Sequence, residues 1–151
     1  MSSVISSEDS STERSFENCR LLRGTLFAIE RMVTLGKTNA FGGAYFAEFF
    51  AWTGEAREEL LGCGGLPEGI SFHTSEARMK YFRELLPLER FEIVVWPRIG
   101  RMNLSLDLRF FFIRGGDLVA VGDQRICLKA DGQLVPIPAA LVDTIGRFAP
   151  A

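Results

Sequence analysis

The residues best suited by type and spacing to do chemistry lie in the run Thr38-Asn39-Ala40-Phe41-Gly42-Gly43-Ala44-Tyr45, with Ala56-Arg57 further along the same predicted helix. They comprise a carboxamide, a glycine pair, a phenol and a guanidinium. All of these can donate hydrogen bonds, and none is an acid. A helix N-terminus presents unpaired N–H groups and the positive end of its dipole, and glycines let a ligand carbonyl approach with no Cβ in the way. Such an entrance can hold an oxyanion. Two readings of Asn39 follow: it donates to that oxyanion, or it is a helix N-cap, with Gly42 and Gly43 merely easing close packing.

Other catalytic devices are excluded by inspection. The chain has one histidine, His73, beside Phe72 at a strand start, and it lacks both a G-x-S-x-G elbow and a phosphate-binding glycine loop, so neither a serine triad nor P-loop chemistry is supported. Cys19, Cys63 and Cys127 are odd in number and widely spaced, which favours buried free thiols over a disulfide or a zinc site. No metal is expected. A net charge of −2 from interspersed acids and bases argues against nucleic acid as a partner. The opening "MSSVISSEDSST" lacks an apolar signal core, and no later stretch reaches the ~18 apolar residues of a membrane span. The expectation is a cytoplasmic protein with a flexible tail over 1–18 and one domain over 19–148. A hydrophobic content of 47% is enough to give that domain a core.

The elements that must carry these residues follow from periodicity. "CRLLRGTLFAIERMV" reads as a strand. Thr38 or Asn39 then caps a helix of about five turns, with Phe46, Phe49, Thr53, Ala56 and Leu60 on one face. The glycines and proline of "GCGGLPEG" end it. Four strands follow, beginning at Ile70, at "RFEIVVWP", at "NLSLDLRFFFI" and at "DLVAVGDQRICLKA", with turns at Pro97 to Gly100, Gly115-Gly116-Asp117 and Asp131-Gly132. Leu104, Leu106, Leu108 and Phe110 alternate with Asn103, Ser105, Asp107 and Arg109, so one sheet face needs an apolar cover. The economical fold is α+β, a curved antiparallel sheet wrapped around one long central helix.

These residues resemble the hotdog-fold thioesterases of the 4-hydroxybenzoyl-CoA thioesterase type, whose pattern is an acid, two residues, glycine, three residues, an aromatic, and later Ala-Arg. Asn39, Gly42, Tyr45 near the fourth position and Ala56-Arg57 match it here. Within that family the chain is most similar to the thioesterases that accompany enediyne polyketide synthases, through Thr38-Asn39, Gly42, Tyr45-Phe46, Trp52, Arg57-Glu58 and the later Gln124-Arg125-Ile126. The likeness spans about Arg20 to Pro138. It implies a homodimer or homotetramer without cofactor that hydrolyses a long polyketide or polyene acyl thioester of an acyl-carrier protein, with decarboxylation following for a β-keto acid. An acyl-CoA thioesterase of general metabolism and a non-catalytic acyl-binding hotdog protein are the alternatives.

In the broader family the first position is an acid that serves as nucleophile or base. An amide at Asn39 cannot do that work near pH 7. The resemblance therefore implies that Asn39 and Arg57 are the catalytic pair, with Tyr45 and the Gly43 amide as further donors. Gly42, Phe46, Phe49 and Thr74 are the expected substrate-binding residues. A helix running from Phe41 to Arg57 spans about 24 Å, too far for Asn39 and Arg57 to share one small site in one chain. Arg57 then comes from a second subunit, or acts at the far end of an acyl tunnel, or is a structural partner of an inward carboxylate. Thr74 and Ser75 are expected to reach the site from a partner subunit. The aromatics Phe46, Phe49, Phe50, Trp52 and Phe110 to Phe112 are divided between channel and core, and Arg78, Lys80, Arg98 and Arg101 are candidates for contacting an acidic carrier or coenzyme A phosphates.

Overall fold

The computed structural model describes residues 27–64 and 67–148, and the side chains of Cys63, Gly64 and Phe148 are not among those described. The expected tail over 1–18, Cys19 and the first part of the first strand lie outside these residues. Six strands form one antiparallel sheet: β1 (Phe27–Met32), β2 (Ile70–Tyr81), β3 (Arg90–Ile99), β4 (Leu106–Arg114), β5 (Asp117–Ala130) and β6 (Gln133–Val135). Their order is β1-β3-β4-β5-β2, with β6 paired to the end of β5. Helix α1 (Glu48–Gly64) packs on one face of the sheet, and a second helix, α2 (Ala139–Phe148), closes the described chain.

Strand alternation places Phe91, Ile93 and Val95 of β3, Leu106, Leu108, Phe110 and Phe112 of β4, and Ala120, Ile126 and Leu128 of β5 in the main core. Helix α1 contributes Phe49, Trp52, Ala56, Leu60 and Leu61, and α2 contributes Leu141 and Ile145. The rings are interlocked: Phe49 lies 5.3 Å from Trp52, 5.0 Å from Tyr81 and 5.0 Å from Phe112. Such edge and tilted contacts add to the burial energy of each ring. On the outer face Phe111 and Val121 form a smaller cluster with Val94 and Trp96.

Two turns are as the sequence requires. Gly115 and Gly116 both have positive φ, as do Asp131 and Gly132, which is the backbone of the tight two-residue hairpin. Gly122 on β5 makes room for a side chain of the neighbouring strand. A Cβ there would lie 2.9 Å from the Met79 methyl of β2, so the bare backbone gives the end of Met79 its place, and the Thr53 methyl of α1 packs beside it at 3.5 Å.

The structure corrects the expected elements in three places. The long helix starts at Glu48, seven positions later than Phe41, because residues 38–44 are a small hairpin of their own closed by the Thr38–Ala44 bridge. Among the described residues a second, shorter helix, α2, accompanies the one long helix that was expected, and β6 adds a strand to the four expected from Ile70 onward. Pro136 and Pro138 follow β6 directly, and α2 begins at Ala139.

Candidate active site

The 38–44 hairpin sets Asn39 apart from the helix. Asn39 N–H donates to the Gly43 carbonyl at 2.8 Å, and Gly42 N–H donates to the Asn39 carbonyl at 3.1 Å. The side-chain carbonyl of Asn39 accepts from Phe41 N–H at 2.8 Å, an Asx turn that leaves its NH₂ facing outward. Asn39 is thus a turn residue and not the cap of α1. The first amides of α1 are taken as well: those of Glu48, Phe49 and Phe50 donate to the carbonyls of Tyr45, Phe46 and Ala47. The helix entrance does not offer the free N–H groups that the sequence led us to expect.

Of the amides in the glycine turn, that of Gly42 donates to the Asn39 carbonyl and that of Ala44 to the Leu85 carbonyl. Gly43 N–H has no partner among the described residues. Gly43 is buried, and a Cβ there would lie 3.5 Å from the Glu84 carboxyl group. Gly42 has φ +92°, a conformation that L side chains rarely adopt, so glycine is required at that position by the turn itself. The aromatics divide sharply. Phe49 and Trp52 are core residues, whereas Phe41 is 95% exposed, Phe46 57% and Tyr45 45%. The Tyr81 hydroxyl donates to the Phe46 carbonyl at 2.7 Å and ties this segment to the end of β2. Burial pushes the Tyr81 phenol above its usual range.

Arg57 occupies different surroundings, between α1 and the sheet. Its Nη1 donates to Thr74 Oγ1 at 2.9 Å on β2 and to Gln124 Oε1 at 3.3 Å on β5. The guanidinium carbon stands 5.0 Å from the centre of the Phe72 ring, a cation–π contact. Its Nε is buried without a hydrogen-bond partner. Desolvation pulls the guanidinium below the usual arginine range, partly opposed by the neighbouring Glu58. No carboxylate lies within ion-pair distance among the described residues. The other acids of this helix are engaged elsewhere, Glu55 and Glu59 with Arg31 of β1 at 3.4 and 3.2 Å. The structural ion-pair reading of Arg57 is thereby corrected: its partners are neutral oxygens. A partly desolvated cation whose hydrogen-bond partners are neutral keeps its charge available and is chemically able to stabilise an anion.

Gln124 and Thr53 were not among the expected site residues. Gln124 is 7% exposed and Thr53 0%, and Gln124 Nε2 donates to Thr53 Oγ1 at 2.7 Å. The signal was present in the sequence, as a glutamine in the inward register of β5 and a threonine on the apolar face of α1. Buried polar side chains at core positions are held by partners, and the partners mark a site. Thr74 reaches Arg57 within the same chain. Ser75 sits at a β-bulge, with its hydroxyl donating to the Arg125 carbonyl. His73 is an exposed strand residue near Ser71 at 3.2 Å, and Cys127 is a free thiol. Within one chain, then, the structure joins Arg57, Thr74, Gln124 and Thr53, while Asn39, Gly43 and Tyr45 belong to a separate loop.

A groove of about 510 Å³ lies on the outer sheet face among alternating charges, with Gln124 but not Arg57 among its lining residues. Arg109 pairs with Asp123 at 2.8 Å and Arg125 with Asp107 at 2.9 Å, so the groove is largely neutralised internally. Arg78 reaches Asp123 only at 3.9 Å, and Arg98 has no ion-pair partner among the described residues.

A family model described as the thioesterase-like superfamily matches residues 33–145, which includes both the loop and the Arg57 cluster. The chain belongs to the thioesterase-like superfamily. Its fold is the hotdog fold and its activity is that of a thioester hydrolase. Among curated proteins it is similar to 1,4-dihydroxy-2-naphthoyl-CoA hydrolase of Thermosynechococcus vestitus (strain NIES-2133 / IAM M-273 / BP-1), with 29% identity over 124 residues, 74% of this chain and 83% of that protein. Among solved structures, the dynemicin thioesterase, whose crystal structures reveal induced-fit and allosteric effects upon polyene binding, superposes with a TM-score of 0.73 at 23% identity, covering 82% of this chain and 97% of that one. The 1,4-dihydroxy-2-naphthoyl-CoA thioesterase from Synechocystis gives a TM-score of 0.73 at 18% identity, covering 80% and 96%. These structural likenesses establish a shared thioesterase-family fold. No helix among the described residues is long and apolar enough to cross a membrane.

Proposed function

We propose that this thioesterase hydrolyses a long, apolar acyl thioester at a site completed by a second copy of the chain, with Arg57 holding the developing oxyanion. The observation that carries this reading is the Arg57 guanidinium, desolvated, oriented by neutral partners and with a buried Nε left unpaired. Water attacks the thioester carbonyl carbon, the carbonyl electrons move onto oxygen, and the tetrahedral centre collapses with cleavage of the C–S bond, the departing sulfur taking up the proton that the water gives up, so that the products are the carboxylic acid and the free thiol. Nearby N–H donors stabilise the negative oxygen, and removal of one such donor typically costs about 10²–10³ in rate. Asn39 and the Gly43 amide of the partner subunit supply the remaining donors, and the outward NH₂ of that Asn39 orients the water. For an acyl chain bearing a β-keto group, the released acid loses CO₂ through an enolate that the same guanidinium stabilises.

Support for the second copy comes from the sheet edge. β2 ends the strand order, and most of its 12 residues are exposed. A long unpaired edge invites pairing with another strand, and the exposed rings of Phe41, Tyr45 and Phe46 need cover. Thr74, on that edge strand, touches Arg57, so pairing along β2 brings the guanidinium to the interface.

The acyl carrier is proposed to be an acyl-carrier protein of a polyketide synthase, on the resemblance to the enediyne-associated enzymes and the likeness to the dynemicin thioesterase. A second reading, an acyl-CoA hydrolase, is favoured by the 1,4-dihydroxy-2-naphthoyl-CoA hydrolase relative. Comparing kcat/KM for the same polyene acyl group on carrier protein and on coenzyme A separates them. A preference for the carrier-protein thioester supports the first, and a preference for the coenzyme A thioester supports the second. Binding of either without release of free thiol would leave the non-catalytic acyl-binding alternative standing and overturn both.

A further inference from the structure

We infer that Gln124 is the positioning residue for Arg57, and that Thr53 fixes which end of the Gln124 amide faces the guanidinium. The inference rests on the reading that Arg57 meets the reacting oxygen. The chain of contacts has one polarity. The Thr53 hydroxyl donates its single proton to the Phe50 carbonyl at 2.7 Å, so toward Gln124 it offers only a lone pair. The amide must answer with its NH₂, as it does at 2.7 Å, and its oxygen is thereby turned toward Arg57. Arginine has five donors and no acceptor, so it too accepts only the oxygen end. Both neighbours demand the same rotamer, and the amide cannot flip without breaking both bonds.

Position 124 also needs to be neutral. A glutamate there is nearly isosteric and would bind the guanidinium more strongly, but it would cancel the charge that Arg57 presents to a developing anion. Its second oxygen would face the Thr53 lone pair, a repulsion that the amide avoids. Gln124 thus orients the guanidinium without discharging it, and Thr74 on the other strand shares Nη1. Gly122, two residues before Gln124 on the same inward face, lies beneath the Thr53 methyl, which is 3.5 Å from where a Cβ would stand, an ordinary packing contact.

The test is steady-state thioester hydrolysis, followed as free-thiol release from a long-chain acyl-CoA, together with thermal melting and pH–rate profiles. Gln124→Leu is expected to lower kcat by about 10²-fold with KM changed only a few-fold, since misplacing a catalytic group by about 1 Å costs that much. Thr53→Val is expected to lose about tenfold in rate, a smaller effect because only the amide lock is lost. Thr53→Ser, which keeps the hydroxyl, should restore most of what Thr53→Val loses. Gln124→Glu should gain an acidic limb absent from the natural protein, its rate rising as pH falls and the carboxyl becomes neutral. A purely structural role predicts lower melting temperatures with unchanged kcat and an unchanged pH profile in the folded fraction, and that result overturns the inference. If Gln124→Leu fails to fold, the Thr53 pair and the Gln124→Glu profile still decide. Failure of the underlying reading is distinct: Arg57→Met with natural kcat removes Arg57 from the chemistry, whereas an inactive Arg57→Met beside fully active Gln124 and Thr53 variants removes only the positioning role.

Discussion

Arg57→Met should separate stability from activity, because the two depend on different features of the same side chain. Methionine keeps much of the apolar stem and removes the charge. The lost contacts can be priced. Thr74 is exposed, so its hydroxyl returns to water at little cost, but Gln124 is 7% exposed and its oxygen is left without a partner, which costs about 1–3 kcal/mol. Losing the cation–π contact with Phe72 costs about another 0.5–1 kcal/mol. Against this, the variant no longer keeps a partly desolvated guanidinium with a buried, unpaired Nε, a penalty of about 1–3 kcal/mol that the folded state now escapes. The net change is expected between about 1.5 kcal/mol stabilising and about 3 kcal/mol destabilising, or a melting shift of no more than about 6–12 °C for a domain of this size. Turnover should fall by about 10²–10³-fold, the usual loss for one oxyanion donor. Thermal melting and thiol release on one preparation measure both. The reasoning is refuted if Arg57→Met melts far earlier while its folded fraction turns over normally, for then Arg57 is a strut between α1, β2 and β5.

Asn39→Ala is expected to lower turnover about tenfold or more while costing only about 1 kcal/mol of stability from the lost Asx turn. Thiol release compared with chemical denaturation would show the separation. Asn39→Asp should be slower at neutral pH and partly recover as pH falls, because a neutral carboxyl can donate again; a variant faster at every pH would indicate an ordinary acid-type site. Tyr81 binds its proton more tightly in the folded chain, so its contribution is present below pH about 10, the free phenol value, and is lost as pH rises through the raised folded value. Melting across alkaline pH should show this fall in the natural protein and its loss in Tyr81→Phe. Gly122→Val should lower both stability and kcat by forcing Met79 and Thr53 off β5, read by melting and by thiol release.

Much of the fold was legible because its strands alternate so regularly. In β4, Leu106, Leu108 and Phe110 face the core and Asp107 and Arg109 face out, as their spacing alone requires. On α1, the face marked by Phe49, Thr53, Ala56 and Leu60 is the buried one. The start of that helix was not legible, for a physical reason. Asn with a glycine pair three residues on is as good a signal for an Asx turn as for a helix cap, and what decides between them is the Thr38–Ala44 bridge together with the Ala44 N–H bond to the distant Leu85 carbonyl. The helix α2 was missed because it follows a short strand and two prolines in a region where strands already dominated.

The site was legible by halves, and the division follows the kind of contact each half needs. Arg57 stood out through the family resemblance, as the arginine of the Ala56-Arg57 pair on the helix. Which partners it finds depends on β2 and β5 arriving from residues far along the chain, beyond the reach of local periodicity. A helix drawn too long had suggested a 24 Å separation from Asn39. With that helix shortened, the two residues still have no contact in common among the described residues, where Asn39 hydrogen-bonds within its own hairpin and Arg57 to Thr74 and Gln124. The donors therefore fall into two sets that one chain does not join. An exposed edge strand carrying Thr74, and a loop whose rings stand in solvent, are the features that pairing of two copies would join.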